Sequence, residues 1–178
     1  MIASFIMTTL DGFFDGPGLW EIDWHNTDGE FNDFALEQLA DFDTLVFGRV
    51  TYQGMAQYWP GEDAIRSDPE VAGWMNRARK IVVSRTLRTP EPAWENTTVV
   101  GDISELRSDR KLLVLGSAVL TIALLEAGLL DELRIMVNPV LLGAGRSVAS
   151  SATGRIPLRL KARREFENGN VLLTYARR

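Results

Sequence analysis

Lys111 to Leu133 reads "KLLVLGSAVLTIALLEAGLLDEL". "KLLVLG" is a continuous apolar run of strand length, and a single glycine closes it. "SAVLTIALLEA" follows at once as an apolar helix, with Gly128 as its stop. A strand, one glycine and a helix serve two ends. They give plain α/β packing, or they cradle a phosphate, since glycine lets backbone approach a ligand and the first helical N–H groups attract anions.

Working outward, the same arrangement recurs. "DTLVFG" runs as a strand directly into the helix "RVTYQGMAQY", so "LVFGRVTY" (45–52) matches "LVLGSAVL" (113–120) in design. "RKIVVSR" is a third strand whose polar end is "VVSRT" (82–86), and "TTVVG" is a fourth. At the start, "IASFIMTT" (2–9) reads as a buried strand. Residues 10–27, rich in Gly, Asp, Trp and Phe, read as a long functional loop. "DGEFNDFALEQLAD" (28–41) puts Phe31, Phe34, Ala35 and Leu39 on one helical face. In "SDPEVAGWMNRA" the order Ser67, Pro69, Glu70 predicts a capping box. "DELRIMVNPVLLG" is a further strand turning at "GAG", and "IPLRLKARREFENGNVLLTYARR" alternates around Asn-Gly as an antiparallel hairpin. Strands alternating with helices predict an α/β domain over residues 1–178, with a mostly parallel sheet and that hairpin at its edge.

The composition narrows the chemistry. Of 178 residues, 46% are hydrophobic and 24% charged, as in a globular chain. A net charge of −5 without a basic stripe argues against nucleic acid or an anionic membrane as partner. No cysteine and one histidine, His25, exclude thiol catalysis and a Cys/His zinc site; no metal is expected. No signal-like start and no membrane-length apolar run lead to the expectation of a cytoplasmic protein.

In an open α/β sheet ligands lie beyond the carboxyl ends of the strands, where both glycine junctions fall. Arg49 and Thr51 bring a cation and a hydroxyl to the first, and Ser117 a hydroxyl to the second. Arg85 beside Arg49 suits a 2′-phosphate, favouring NADP over NAD. The segment 11–34 mixes aromatics, glycines and carboxylates, and ten acids and no lysine or arginine precede Arg49. A carboxylate lodged among its Trp and Phe side chains would serve as a proton donor. Asp28, Glu30 and Asp33 are also ordinary acids for a helix start.

With these residues in hand, the chain resembles the dihydrofolate reductase-like superfamily. It is similar to stand-alone members akin to the C-terminal reductase domain of riboflavin-biosynthesis deaminase-reductases. "TTLDGFFDGPG", "VFGRVTYQGM", "KIVVSRT" and "LLVLGSAVLTIALLEAGLLDELRIMVNPVLLGAGRSV" carry the resemblance over nearly the whole chain. It implies a three-layer fold with helices on both faces of the sheet, and an NADPH-dependent reductase of a small heterocycle. Cofactor phosphates would contact Gly48, Arg49, Thr51, Ser84 and Arg85. The nicotinamide half would meet Met7, Phe14 and the backbone of Gly116, Ser117, Ala118, Val119 and Leu120. Glu30, with Asp33 next in line, would be the catalytic acid, and Phe34 and Asp28 would serve the substrate. A homodimer is the family's usual assembly.

The chain also departs from the family. Ser117 stands where a second glycine is usual, and no arginine matches the one that holds a folate tail. The acid-rich segment before Arg49 is a poor setting for a phosphoribosyl group, so the expected substrate is pteridine- or pyrimidinone-like and largely uncharged. A riboflavin-pathway reductase, a true dihydrofolate reductase and a nucleotide-binding module without turnover remain the alternatives.

Overall fold

The computed structural model describes residues 1–106 and 110–178. Its strands are β1 (Ile2–Thr9), β2 (Phe13–Asp15), β3 (Thr44–Gly48), β4 (Arg79–Val83), β5 (Thr97–Val100), β6 (Leu112–Leu115), β7 (Glu132–Asn138), β8 (Arg146–Ser147), β9 (Leu158–Glu165) and β10 (Val171–Arg177). Its α-helices are α1 (Gly29–Ala40), α2 (Arg49–Tyr58), α3 (Glu62–Ser67), α4 (Pro69–Arg77) and α5 (Ala118–Glu126). Among the described residues no helix is long and apolar enough to cross a membrane.

Eight strands form one sheet in the order β5-β4-β3-β6-β1-β7-β10-β9. The first six run parallel; β10 then pairs antiparallel with β7, and β9 with β10. The expected parallel sheet with an antiparallel edge hairpin is therefore present. Strand alternation splits the core in two. Phe5, Met7, Leu45, Phe47 and Val82 face Phe34, Leu39, Tyr52, Val71 and Met75 of α1, α2 and α4. Val46, Leu112, Val114 and Leu133 face Leu120, Ile122, Leu124 and Leu125 of α5. Helices thus cover both faces, which makes three layers. Gly128, at φ +70°, ends α5 as its sequence position predicts.

Two expectations need correction. Residues 10–27 are not only loop: β2 pairs with β8 in a small antiparallel sheet. Strands of three and two residues carry no periodicity to read. The capping box at Ser67 is absent. Ser67 closes the separate helix α3, and Asp68 precedes Pro69 of α4 without a side-chain cap, because Asp68 Oδ1 accepts from Asn32 Nδ2 at 2.8 Å.

Candidate functional site

Three neighbouring strand ends make a continuous rim. The sheet order places Ser84 after β4, Gly48 at the end of β3 and Gly116 after β6 side by side, with β1 next. The two glycine junctions are joined directly: the Gly48 N–H donates to Ser117 Oγ at 2.7 Å. Gly116 (φ +58°) and Ser117 (φ +52°) are both left-handed, and Ala118 then enters α5. A left-handed residue followed by a helical one turns successive N–H groups toward one point, and the first turn of α5 has no intrahelical acceptors for them. A Cβ on Gly116 would stand 3.3 Å from Thr51 Cγ2, so that position is both left-handed and crowded. The Gly116 N–H is fixed by the Phe5 carbonyl at 2.9 Å, which ties the junction to β1.

Of the expected cofactor residues, Gly48, Arg49, Thr51, Ser84, Arg85 and Gly116 to Leu120 stand at these strand ends and helix starts, while Met7 lies on β1 and Phe14 on β2, outside the main sheet. Arg49 and Arg85 are exposed, and Arg49 Nη1 donates to Gln53 Oε1 at 3.0 Å. Ala118 and Leu120 bury their side chains, so they offer backbone to the rim, while Val119 is exposed. Met7 is buried on β1. Phe14 lies on β2, its ring beneath the Arg146 guanidinium at 5.1 Å. Ser84 Oγ is occupied locally, accepting from Thr86 and Leu87 N–H at 3.2 and 3.0 Å. The residues present fit a dinucleotide: glycine-built close approaches, bared amides at two helix starts, and two exposed arginines.

The acids lie elsewhere, at the start of α1, and Glu30 reaches the C-terminal hairpin. Asp28 caps α1, its Oδ1 accepting from Phe31 N–H at 2.9 Å. Glu30 Oε2 accepts from the Glu167 N–H at 2.9 Å, and Oε1 lies 3.6 Å from Arg164 Nη2. Asp33 is exposed on the same helix. Phe34 is 6% exposed; the Phe166 ring stands on it at 5.6 Å, and Arg164 spans both rings.

Several residues of the site were not marked by sequence reasoning. Asn138 is fully buried at the end of β7. It donates to the Thr8 and Met136 carbonyls and accepts from Asn26 N–H at 2.8 Å. Asn26 in turn exchanges bonds with Asn168 and receives one from Asn170. Next to this network His25 is packed edge-on against Trp24, with Nε2 buried and unpartnered; burial pulls its pKa down to about 4. Buried Asp15, ion-paired with Arg146, accepts from Trp20 and Glu21 N–H at 3.2 and 2.9 Å. It thereby holds Trp20, at φ +64°, across to α2. The indole lies on Gly54: a Cβ there would be 2.0 Å from Trp20 Cζ2. Between this turn, α2 and the segment at Pro92 is a cleft of about 480 Å³. Aromatic richness in 10–27 was the available signal; that Trp20 meets Gly54 is tertiary and left no pattern.

Comparison with known proteins agrees with this architecture. The solved structure of a protein assigned to riboflavin biosynthesis from Shewanella superposes with a TM-score of 0.76 at 21% identity, covering 99% of this chain and 98% of that one. Dihydrofolate reductase from Enterococcus faecalis, complexed with NADP(H), superposes with a TM-score of 0.64 at 18% identity over 99% and 96%. The uncharacterized protein YyaP of Bacillus subtilis is 28% identical over 176 residues, 96% of this chain and 91% of the relative. The model of the RibD C-terminal domain matches residues 1–172. The chain belongs to the RibD C-terminal domain family.

Proposed function

We propose that the chain is an NADPH-dependent reductase that delivers hydride to a C=N or C=O bond of a small, largely uncharged heterocycle. The observation that carries this reading is the rim at Ser84, Gly48 and Gly116, where one hydrogen bond joins two glycine junctions and the first turns of α2 and α5 begin beside Thr51. Bound there, the cofactor would supply the hydride. The first turn of α2, with Arg49 and Thr51, would bind its phosphates and the first turn of α5 would meet its nicotinamide half, with Gly48 and Gly116 letting the backbone approach closely. Arg49 and Arg85 would favour the 2′-phosphate form, and Met7 would close the floor of the site. Similarity to a dihydrofolate reductase complexed with NADP(H) supports the choice of cofactor.

On the substrate side Glu30 is the residue we assign to anchoring the ring or supplying a proton, with Asp33 second. Asp28 is engaged in capping α1 and Phe34 in the core, so their part would be to hold Glu30 in place. We expect the protein to work as a homodimer, which light scattering would check.

The test is a titration of NADPH and NADH against melting temperature and cofactor fluorescence. NADPH at 100 times its dissociation constant should stabilise the fold by about 2.7 kcal/mol, with NADH weaker. Replacing Arg49 and Arg85 together by alanine should narrow that difference. No shift with either cofactor would end the reductase reading and favour a module without turnover.

A further inference from the structure

We infer that Asp102, just beyond β5, limits the chain's preference for a 2′-phosphorylated dinucleotide by setting a carboxylate against the ribose beside Arg85. The inference rests on the proposed reductase reading and names the residue that tempers its choice between NADPH and NADH.

Two strand ends at this edge of the rim leave the sheet side by side. Val83 of β4 is in register with Val100 of β5, and the Ser84 N–H extends the ladder to the Val100 carbonyl at 2.9 Å. Arg85 then follows on one strand and Gly101 and Asp102 on the other, with the strands about 4.8 Å apart. The backbone amides at both ends are already taken. Ser84 Oγ accepts from Thr86 and Leu87 N–H, and Glu105 Oε1 accepts from Gly101 and Asp102 N–H at 2.8 and 3.0 Å. Two successive N–H groups on one oxygen form a small anion receptor, and the chain fills it with its own carboxylate. Recognition of a ligand at this point therefore falls to side-chain charge.

That charge is mixed. Arg85, Asp102 and Glu105 are all exposed. Asp102 is held in place, its Oδ1 accepting from Ser104 N–H at 2.9 Å. Hydrogen bonds from Ser104, and then the charge of Arg85, keep its carboxyl below the usual carboxylate range, so it is ionised at neutral pH. An ionised carboxylate accepts from a ribose 2′-hydroxyl and repels a 2′-phosphate, whereas a guanidinium binds the phosphate. A receptor built for the phosphate alone would carry no acid here. With both groups present, the two coenzymes bind with affinities closer together than Arg85 by itself would set.

The experiment titrates NADPH and NADH by calorimetry into wild type, Asp102→Asn and Arg85→Ala, at low ionic strength, where exposed charges are least screened. Asparagine can still accept from Ser104 N–H, so the turn is retained. The ratio of NADPH to NADH affinity should rise about three- to tenfold in Asp102→Asn, with NADPH gaining and NADH losing. It should fall about tenfold in Arg85→Ala, through NADPH alone. An unchanged or lower ratio in Asp102→Asn overturns the inference. Equal weakening of both coenzymes also overturns it, since Asp102 would then only support the turn. The two readings fail separately: wild type that binds neither coenzyme removes the reductase and this inference with it, while wild type that binds both, with a ratio unmoved by Asp102→Asn, removes the inference alone.

Discussion

The two sides of the proposed site are built by opposite strategies. The cofactor rim consists of strand ends and helix starts, each junction formed within a few consecutive residues and aligned by the sheet. The substrate side is stitched together from distant parts of the chain. Asn26 bonds Asn138 and Asn168 across 112 and 142 residues, and Glu30 reaches the Glu167 N–H across 137. A wall made of local geometry has little freedom to change. A wall made of long-range side-chain contacts can be remodelled one residue at a time, which is where differences in substrate among proteins of one fold would reside.

The comparison breaks most visibly at Asp15, which holds the substrate side together. Asp15→Ala leaves two N–H groups and the Arg146 guanidinium without their acceptor. Removing one partner of a buried pair costs roughly 3–5 kcal/mol; with Arg146 43% exposed, water recovers part of that, and we expect about 2–3 kcal/mol in urea unfolding. NADPH binding to the protein that remains folded should be unchanged. Equal losses on both sides would show that the two walls are one cooperative unit.

Glu30→Gln comes next. If Glu30 anchors the ring or gives the proton, turnover should fall roughly 10²-fold with NADPH affinity intact. The amide can still accept from Glu167 N–H, so stability should hold. An unchanged rate would move the acid's role to Asp33 or out of α1 altogether.

A subtler probe is pH, through His25. Its neutral imidazole is favoured by burial, with the folded pKa pulled to about 4 from 6.5. The unfolded chain therefore binds the proton first, and stability should be fully present above about pH 6.5 and decline as the pH falls toward 4. Between about pH 7.5 and pH 5, where most carboxylates stay ionised, this amounts to roughly 2 kcal/mol. His25→Gln should flatten the slope. If the slope persists in that protein, other groups cause it and His25 is not sealed in the loop.

How much of this was readable follows the same division. The bounds of β1 and α2 and the stop at Gly128 stand where apolar runs and glycine place them, because those signals act within one turn or one strand. The β2–β8 pair, the Trp20–Gly54 contact and the asparagine network were not legible. In each case the partner lies far along the chain, and no local pattern ties the two together. The false capping box has a similar origin: Asp68 prefers Asn32, a residue of another helix.

Ser117 tests the rim itself, with the smallest expected effect. Its left-handed backbone costs roughly 1–2 kcal/mol for a residue with a Cβ, while its hydroxyl accepts the Gly48 N–H. Ser117→Gly relieves the first, forfeits the second (about 0.5–1.5 kcal/mol) and adds chain entropy to the unfolded state. These oppose one another, so the net change should stay within about 1 kcal/mol. Ser117→Ala keeps the backbone cost and loses the hydroxyl, and should be the less stable of the two by about 1 kcal/mol in chemical denaturation. That order is the test. Alanine at least as stable as glycine would mean that the backbone at 117 is unstrained and that the hydroxyl alone joins the two junctions. In that event Ser117 substitutes for the usual glycine by bonding across to β3, and NADPH affinity should fall equally in both proteins.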